Sequence, residues 1–148
     1  ELGEPTTITI KEIPYTVYPV SMGNPHGVIE TADPGSLRLA ELGPLVEHHP
    51  AFPERINVEF VRVVNRGELR MRVWERGSGE TWACGTGATA SVLASILMGY
   101  VDDEAEVSLR GGKLMIRLDR ATGHLFMTGP AVEVFNGTID IPQEIYYD

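Results

Sequence analysis

ERGSGETWACGTGATAS, residues 75–91, carries the only cysteine of this 148-residue chain, Cys84, and leads into an apolar segment. That segment predicts a helix over about residues 86–98, ended by Gly99. Small polar side chains alternate there with apolar ones that cover the whole circumference: Thr89, Ser91 and Ser95 against Ala88, Ala90, Val92, Leu93, Ala94, Ile96, Leu97 and Met98. A helix that is apolar on all sides is buried on all sides. The sequence therefore predicts a central helix enclosed by the rest of the fold.

Most other segments alternate apolar and polar residues, which is typical of strands. Two strands are predicted over about 6–11 and 15–22, with a break at Pro14. A hairpin is predicted around Asn65-Arg66-Gly67. The further strand segments are NPHGVIE (24–30, a loop and short strand), AEVSLR (105–110), GKLMIRL (112–118), HLFMTG (124–129) and AVEVFNGTIDI (131–141).

One more helix is predicted within DPGSLRLAELGPLVEHHP, residues 33–50. Ser36 is its expected N-cap, and Gly43-Pro44 is expected to kink or divide it. Short connections between the strands favour antiparallel pairing. The predicted fold class is α+β: a curved, largely antiparallel β-sheet or barrel wrapped around a central buried helix, in a single domain over residues 1–148.

The charge balance limits the classes of partner. Twelve basic residues against 21 acidic ones give a net charge of −9, which argues against a nucleic-acid or anionic-membrane partner because phosphate contacts need clustered Lys and Arg. A small anionic substrate remains compatible, since one arginine can hold a carboxylate. No apolar stretch has the length of a membrane span. A single cysteine cannot form an internal disulfide, so a reducing, cytoplasmic setting is expected.

Three kinds of site place glycines before a helix. A P-loop is excluded because the stretch has no lysine. A dinucleotide fingerprint matches Gly85, Gly87 and Ala90 in spacing, but the preceding strand ends near Glu75, too early for that motif. The third kind is an anion site beside an activated thiol, in which a carboxylate docks on the amides of Gly85 and Thr86 and the helix dipole lowers the pKa of Cys84. The alternative for a lone cysteine is a small buried apolar residue.

Four segments, in this order, resemble the diaminopimelate epimerase family: SMGNPHGV (21–28), INVEFV (56–61), ERGSGETWACGTGA (75–88) and TGPA (128–131). The resemblance implies an enzyme that interconverts LL- and meso-diaminopimelate, for lysine and peptidoglycan precursors, without pyridoxal phosphate, metal or other cofactor. It also implies two similar halves with one catalytic cysteine each. This chain resembles the carboxy-terminal half, since it lacks the Cys-Gly-Asn-Gly type motif of the other half. Residues 131–148 are expected to cross back to that half, and the parent enzyme is expected to be a homodimer.

The resemblance also implies roles for individual residues. Cys84 is one of the two thiols that exchange the α-proton, and the amides of Gly85 and Thr86 face the α-carboxylate. Glu75 contacts the substrate amine near Cys84, and His26 serves the opposite thiol. The residues that hold the distal end of the dicarboxylic diamino acid are Asn24, Asn57 and Arg76. Trp82 is expected to pack against the barrel without a catalytic role.

Two alternatives stay open from the sequence. One is a proline or hydroxyproline racemase-like enzyme, which also places a cysteine before Gly-Thr-Gly; Arg76 and the paired asparagines favour a substrate with a second carboxylate. The other is a folded but inactive half, because one thiol cannot serve both faces of a carbon. Each residue also has a structural alternative: Asn24 as a turn residue before Pro25, and Glu75-Arg76 as a solvated pair.

Overall fold

The strands of the chain form one mixed sheet, described over residues 3–140 by a computed structural model. The elements in chain order are β1 (Thr6–Ile10), β2 (Ile13–Ser21), β3 (Pro25–Glu30), a 3-10 turn (Pro34–Ser36), α1 (Leu39–Glu47), β4 (Asn57–Asn65), β5 (Glu68–Glu75), β6 (Gly79–Thr81), α2 (Gly85–Leu97), β7 (Glu104–Leu109), β8 (Gly112–Asp119) and β9 (His124–Thr128).

The sheet has the order β1-β2-β3-β4-β5-β7-β8-β9, and β6 pairs with β5. Neighbouring strands are antiparallel except at β3–β4 and β5–β7, which are parallel. Each parallel pair is joined through a helix, α1 or α2, because parallel strands need a long crossover connection. The prediction of a largely antiparallel α+β fold is confirmed, and the two crossovers make the sheet mixed.

Helix α2 lies inside the curve of this sheet. It contacts β2, β3, β4, β5, β7, β8 and β9, and its residues from Gly87 to Val92 are all buried. Two of its polar side chains turn back onto the helix: Thr89 Oγ1 donates to the Gly85 carbonyl at 2.9 Å and Ser91 Oγ to the Gly87 carbonyl at 2.8 Å. These bonds let hydroxyls be buried without losing a partner. The predicted central helix is confirmed, with its bounds one residue earlier.

Strand β4 separates two apolar cores. Val58 and Phe60 belong to the core on the α1 side, whereas Val61 belongs to the core around α2. Side chains alternate between the faces of a strand, so Glu59 shares the α2 face with Val61. This parity brings a carboxyl group into the core beside the first turn of α2.

The predicted strand break at Pro14 is wrong, and Pro44 does not divide its helix. Pro14 does not break a strand: it lies within β2, paired with Thr9, on a part of β2 that does not pair with β3. A proline is tolerated where no ladder bond is required of its nitrogen. The chain turns instead at Lys11 and Glu12, both with positive φ, as a two-residue hairpin requires. Pro44 lies inside α1, which continues through it.

Two further predictions of local structure are wrong. Ser36 is not the N-cap of α1: it ends the 3-10 turn, which Asp33 caps, and α1 begins after Arg38 without a side-chain cap. Residues 131–140 form no strand, and the rest of that predicted strand, Ile141, lies outside the described residues. Within 3–140, neither helix has the length and hydropathy needed to cross a bilayer.

Candidate functional site

Cys84 is the N-cap residue of α2, so its thiol lies at the N-terminus of the helix. Its backbone is extended, its Sγ accepts a hydrogen bond from Gly87 N at 3.3 Å, and its carbonyl accepts from Ala88 N at 2.9 Å. The residue is 9% exposed. The amides of Gly85 and Thr86 have no acceptor among the described residues, as expected for the first amides of a helix. The arrangement places a thiol beside free N–H donors just under the surface.

The predicted lowering of the Cys84 pKa is wrong. Burial raises the pKa of this thiol, and hydrogen bonds from Thr86 and Gly87 oppose the increase without cancelling it. The negative charge of Glu75 raises the pKa further, and an ionised Glu59 would act in the same direction. Desolvation disfavours the charged form of any acid, and here it outweighs the hydrogen bonds that the first turn of α2 gives to the sulfur. A thiolate formed at Cys84 would therefore be a strong base.

A chain of hydrogen bonds leads from Cys84 to the interior. Cys84 Sγ lies 3.5 Å from Thr86 Oγ1, which in turn accepts from Asn24 Nδ2 at 3.5 Å. Asn24 Oδ1 lies 3.1 Å from His26 Nε2. The structure thus joins four of the predicted site residues from two elements, the β2–β3 region and the first turn of α2.

Glu59 continues this chain into the core. Its Oε1 lies 2.7 Å from His26 Nδ1, and both side chains are fully buried. Its Oε2 has no hydrogen-bond partner within residues 3–140. Burial raises the pKa of the Glu59 carboxyl, and the contacts with His26 oppose that change. Acids whose pKa is shifted by burial and by a specific charged partner cluster at functional sites, and Glu59 has both features.

Glu75 approaches the thiol from the end of β5. Its carboxylate accepts a hydrogen bond from Thr81 Oγ1 on the paired strand β6, which fixes its orientation. Its charge acts on both Cys84 and Glu59. The structure therefore brings Glu75 to the flank of Cys84, as the resemblance implies.

Asn57 and Arg76 lie on the same side of the site, but with contacts inside the protein. Asn57 Nδ2 donates to the Pro25 carbonyl at 2.8 Å, and its Oδ1 accepts from Arg76 N at 2.9 Å. The exposed guanidinium of Arg76 donates to the Glu54 carbonyl at 3.1 Å. Asn57 thus ties the start of β3, next to His26, to the turn that carries Arg76.

Glu47 stabilises the turn that carries Arg76. This buried residue at the end of α1 accepts hydrogen bonds from Trp74 Nε1 at 2.8 Å and from Gly77 N at 3.0 Å. Burial acts to raise its pKa, but the bonds from Trp74 and Gly77 and the charges of His48 and Arg55 leave the pKa of Glu47 below its ordinary value. An ionised carboxylate therefore anchors the turn.

Sequence reasoning missed Glu59, Glu47 and Thr81. For Glu59 a signal was present: it is the only charged residue in the run Ile56–Val61, where apolar neighbours indicate burial. The expected packing of Trp82 against the barrel is wrong, because this residue is 74% exposed. Among the described residues no group of three or more His, Cys, Asp and Glu has the geometry of a metal site.

Comparison with solved structures defines the class of fold. The hydroxyproline epimerase from Agrobacterium vitis superimposes with a TM-score of 0.54 at 19% identity, over 76% of this chain and 40% of that one. A probable proline racemase from Agrobacterium radiobacter K84 gives a TM-score of 0.56 at 15% identity, over 91% and 52% respectively. A member of the phenazine biosynthesis PhzF family from Bacillus anthracis gives 0.52 at 22% identity, over 85% and 38%. The chain shares its α+β fold with these three proteins.

Sequence comparison narrows the class to a family. The model of the diaminopimelate epimerase family matches residues 18–134. Diaminopimelate epimerase of Synechococcus elongatus is 53% identical over 134 residues, 90% of this chain and 48% of that protein; that of Acetivibrio thermocellus is 51% identical over 138 residues, 93% and 49%. The chain belongs to the diaminopimelate epimerase family, and it spans about half the length of these relatives.

Proposed function

We propose that this chain forms one half of a cofactor-independent epimerase that interconverts LL- and meso-diaminopimelate. The supporting observation is the position of Cys84: a nearly buried thiol at the start of a buried helix, beside the free amides of Gly85 and Thr86. A substrate carboxylate on those amides would bring its α-carbon to the thiol. The product would serve lysine and peptidoglycan precursor synthesis, in a cytoplasmic setting.

The proposed reaction is a proton exchange on opposite faces of one carbon. The Cys84 thiolate takes the α-proton, so that the C–H bond breaks, an S–H bond forms and the electron pair remains on the carbon and its carboxylate. A thiol on the other face then donates its proton to that carbon and inverts it. The raised pKa of Cys84 suits this step, since a weakly acidic C–H needs a strong base. Desolvation and the amide donors would stabilise the carbanion.

The neighbouring residues receive roles in the same proposal. Glu75, oriented by Thr81, would bind the substrate amine beside Cys84. Asn24, which is hydrogen-bonded to His26, would face the substrate. The Arg76 guanidinium would exchange its contact with Glu54 for the distal carboxylate, which a guanidinium can bind in bidentate fashion. Asn57 would act by holding the Arg76 backbone.

A second half is required by this chemistry. The chain contains one cysteine, and one thiol cannot serve both faces of a carbon. We infer that a similar amino-terminal half supplies the second cysteine, that residues 131–140 cross back to it, and that the parent enzyme is a homodimer. The rest of the expected crossing, 141–148, lies outside the described residues. The exposure of Val132, Val134, Phe135 and Ile139, which is 80–88%, supports such a crossing.

The test is exchange of the α-hydrogen in deuterated water, measured by mass and by chiral separation. In the protein encoded by the complete reading frame, Cys84→Ala is expected to lose inversion while it still folds. Lys113→Ala, which removes an exposed side chain bonded to Glu106, serves as the control and is expected to retain it. Normal turnover by Cys84→Ala would contradict the proposal.

Two further outcomes separate the alternatives. Faster turnover of proline or hydroxyproline than of diaminopimelate would assign the racemase activity instead. Residues 1–148 alone are expected to fold without epimerising diaminopimelate. Inversion by this isolated chain would show that a second half is not needed.

A further inference from the structure

The hydrogen bonds around His26 determine where its protons lie. Asn24 Nδ2 donates to Thr86 Oγ1, so it is Asn24 Oδ1, an acceptor, that faces His26 Nε2. His26 Nε2 must therefore carry a hydrogen. A neutral imidazole with a hydrogen on Nε2 has an acceptor at Nδ1, and this atom faces Glu59 Oε1 at 2.7 Å.

One more proton lies between His26 Nδ1 and Glu59 Oε1, because two acceptors do not bond at that distance. It belongs either to a carboxylic acid beside a neutral imidazole or to an imidazolium beside a carboxylate. The second arrangement would leave Oε2 of a fully buried carboxylate without a partner. An unpartnered carbonyl oxygen costs less than an unpartnered charged one, so burial favours the neutral acid.

The surroundings of Glu59 add electrostatic reasons for the neutral acid. The titratable groups that face it are His26 from β3, Cys84 from the start of α2 and Glu75 from β5. A Cβ atom on Gly87 would lie 2.7 Å from Glu59 Oε1 and 3.2 Å from Cys84 Sγ, so the carboxyl and the thiol meet at the same backbone position. A carboxylate there would oppose a thiolate, and a neutral acid would not.

We propose that Glu59 is a carboxylic acid in the folded protein and acts as a positioning residue. Its proton holds His26 in the Nε2–H form, and the uncharged carboxyl group places no negative charge of its own beside Cys84. The consequence for proton transfer at Cys84 rests on the proposed function. The assignment of the proton to Glu59 does not rest on the proposed function, so either proposal can fail while the other holds.

The first test is spectroscopic and uses the full chain. Infrared spectra near neutral pH are expected to show the carbonyl band of a protonated carboxylic acid, lost in Glu59→Gln and retained in the control Glu47→Gln. Nitrogen-15 spectra are expected to show His26 protonated at Nε2 alone, assigned by the loss of its signals in His26→Asn. Absence of the band in the wild-type chain, or an imidazolium spectrum for His26, would overturn the proposal even if a variant failed to fold.

The second test measures the thiol. Gln is neutral and can donate its amide N–H to His26 Nδ1, so Glu59→Gln is expected to leave the His26 tautomer and the Cys84 titration, followed by the carbon-13 shift of its Cβ, close to wild type. Glu59→Val removes the donor and is expected to change the His26 tautomer. If Glu59 were ionised, Glu59→Gln would lower the pKa of Cys84, because the substitution would remove a neighbouring negative charge, and that result would refute the proposal.

These spectra report the Glu59 proton whether or not Cys84 exchanges hydrogen with a substrate. Retained inversion of diaminopimelate by Cys84→Ala, by contrast, would contradict the proposed function and leave the assignment of Glu59 intact.

Discussion

Gly87 determines how closely the thiol and the buried acid approach each other. It lies in the first turn of α2 and has no side chain between Cys84 and Glu59. Glycine inside a helix costs about 1 kcal/mol relative to alanine, so a packing requirement must offset that cost. The absent Cβ provides the space that the Glu59 carboxyl occupies, which makes Gly87 part of the site although its own atoms carry no chemistry.

Gly87→Ala is expected to destabilise the fold by about 1–3 kcal/mol, as added volume does in a packed core. The new Cβ would meet Glu59 Oε1, a carboxyl oxygen held by His26 rather than a free chain end. Chemical denaturation measures the effect. The matched control is Gly85→Ala, whose Cβ would meet the flexible end of Met127 at 3.0 Å; a change of at most about 0.5 kcal/mol is expected there. Equal losses in both variants would refute this account.

At the scale of the element, α1 is fitted to Trp74. Gly43 lies in the middle of the helix, and a Cβ at that position would lie 2.3 Å from Cδ2 of the indole. Glu47, one turn later, accepts the indole N–H. The backbone of α1 therefore packs against the face of the indole ring, and Glu47 accepts a hydrogen bond from the ring nitrogen. These contacts fix the end of β5 that carries Glu75.

Gly43→Ala is expected to destabilise the protein, although alanine is the better helix former by about 1 kcal/mol. The clash is with a rigid ring in a buried site, and overpacking of that kind costs about 1–3 kcal/mol. Near-ultraviolet circular dichroism of the tryptophans and the denaturation midpoint measure it.

The control for that substitution is Gly67→Ala in the β4–β5 turn. A Cβ at Gly67 would have Asn65 Oδ1 as its near neighbour, at 3.6 Å. Gly67→Ala is therefore expected to leave the circular dichroism and the denaturation midpoint unchanged. An unchanged or higher midpoint for Gly43→Ala would show that α1 shifts to accommodate the methyl group.

At the scale of the whole molecule, the two buried glutamates give opposite dependences of stability on pH. Glu59 has a raised pKa, so its contribution is complete below the unfolded value of about 4.3 and is lost as pH rises toward the folded value. Glu47 has a lowered pKa, so its contribution is present above that unfolded value and is lost as pH falls through the folded one. Each slope approaches about 1.4 kcal/mol per pH unit.

The free energy of unfolding of Glu59→Gln and Glu47→Gln, measured against wild type across acidic to neutral pH, checks these signs. The wild-type advantage over Glu59→Gln is expected to shrink as pH rises above about 4.3, and that over Glu47→Gln to shrink as pH falls below it. Each variant is the control for the other, since both remove one buried carboxyl. Parallel curves for the two variants would contradict the assignment of opposite pKa directions.

Prediction from sequence succeeded where a regular pattern has one solution. The apolar circumference of α2 required burial, and the alternation in β4 and β5 required strands. It failed where a local rule has several outcomes. Pro14 was tolerated because its nitrogen has no ladder partner, and Ser36 lost the capping position to Asp33. The apolar alternation of residues 131–140 does not form a strand within the described chain.

The sequence by itself determined the central helix, the thiol at its start and the family, because periodicity and contiguous motifs lie along the chain. Only the tertiary structure decided which groups surround that thiol. Glu59, His26 and Glu75 come from three separate strands, and their distances to Cys84 follow from strand register and sheet curvature. The raised pKa of Cys84 is the result: the hydrogen bonds from Thr86 and Gly87 are local to the first turn of α2, whereas the burial that outweighs them depends on the folded structure.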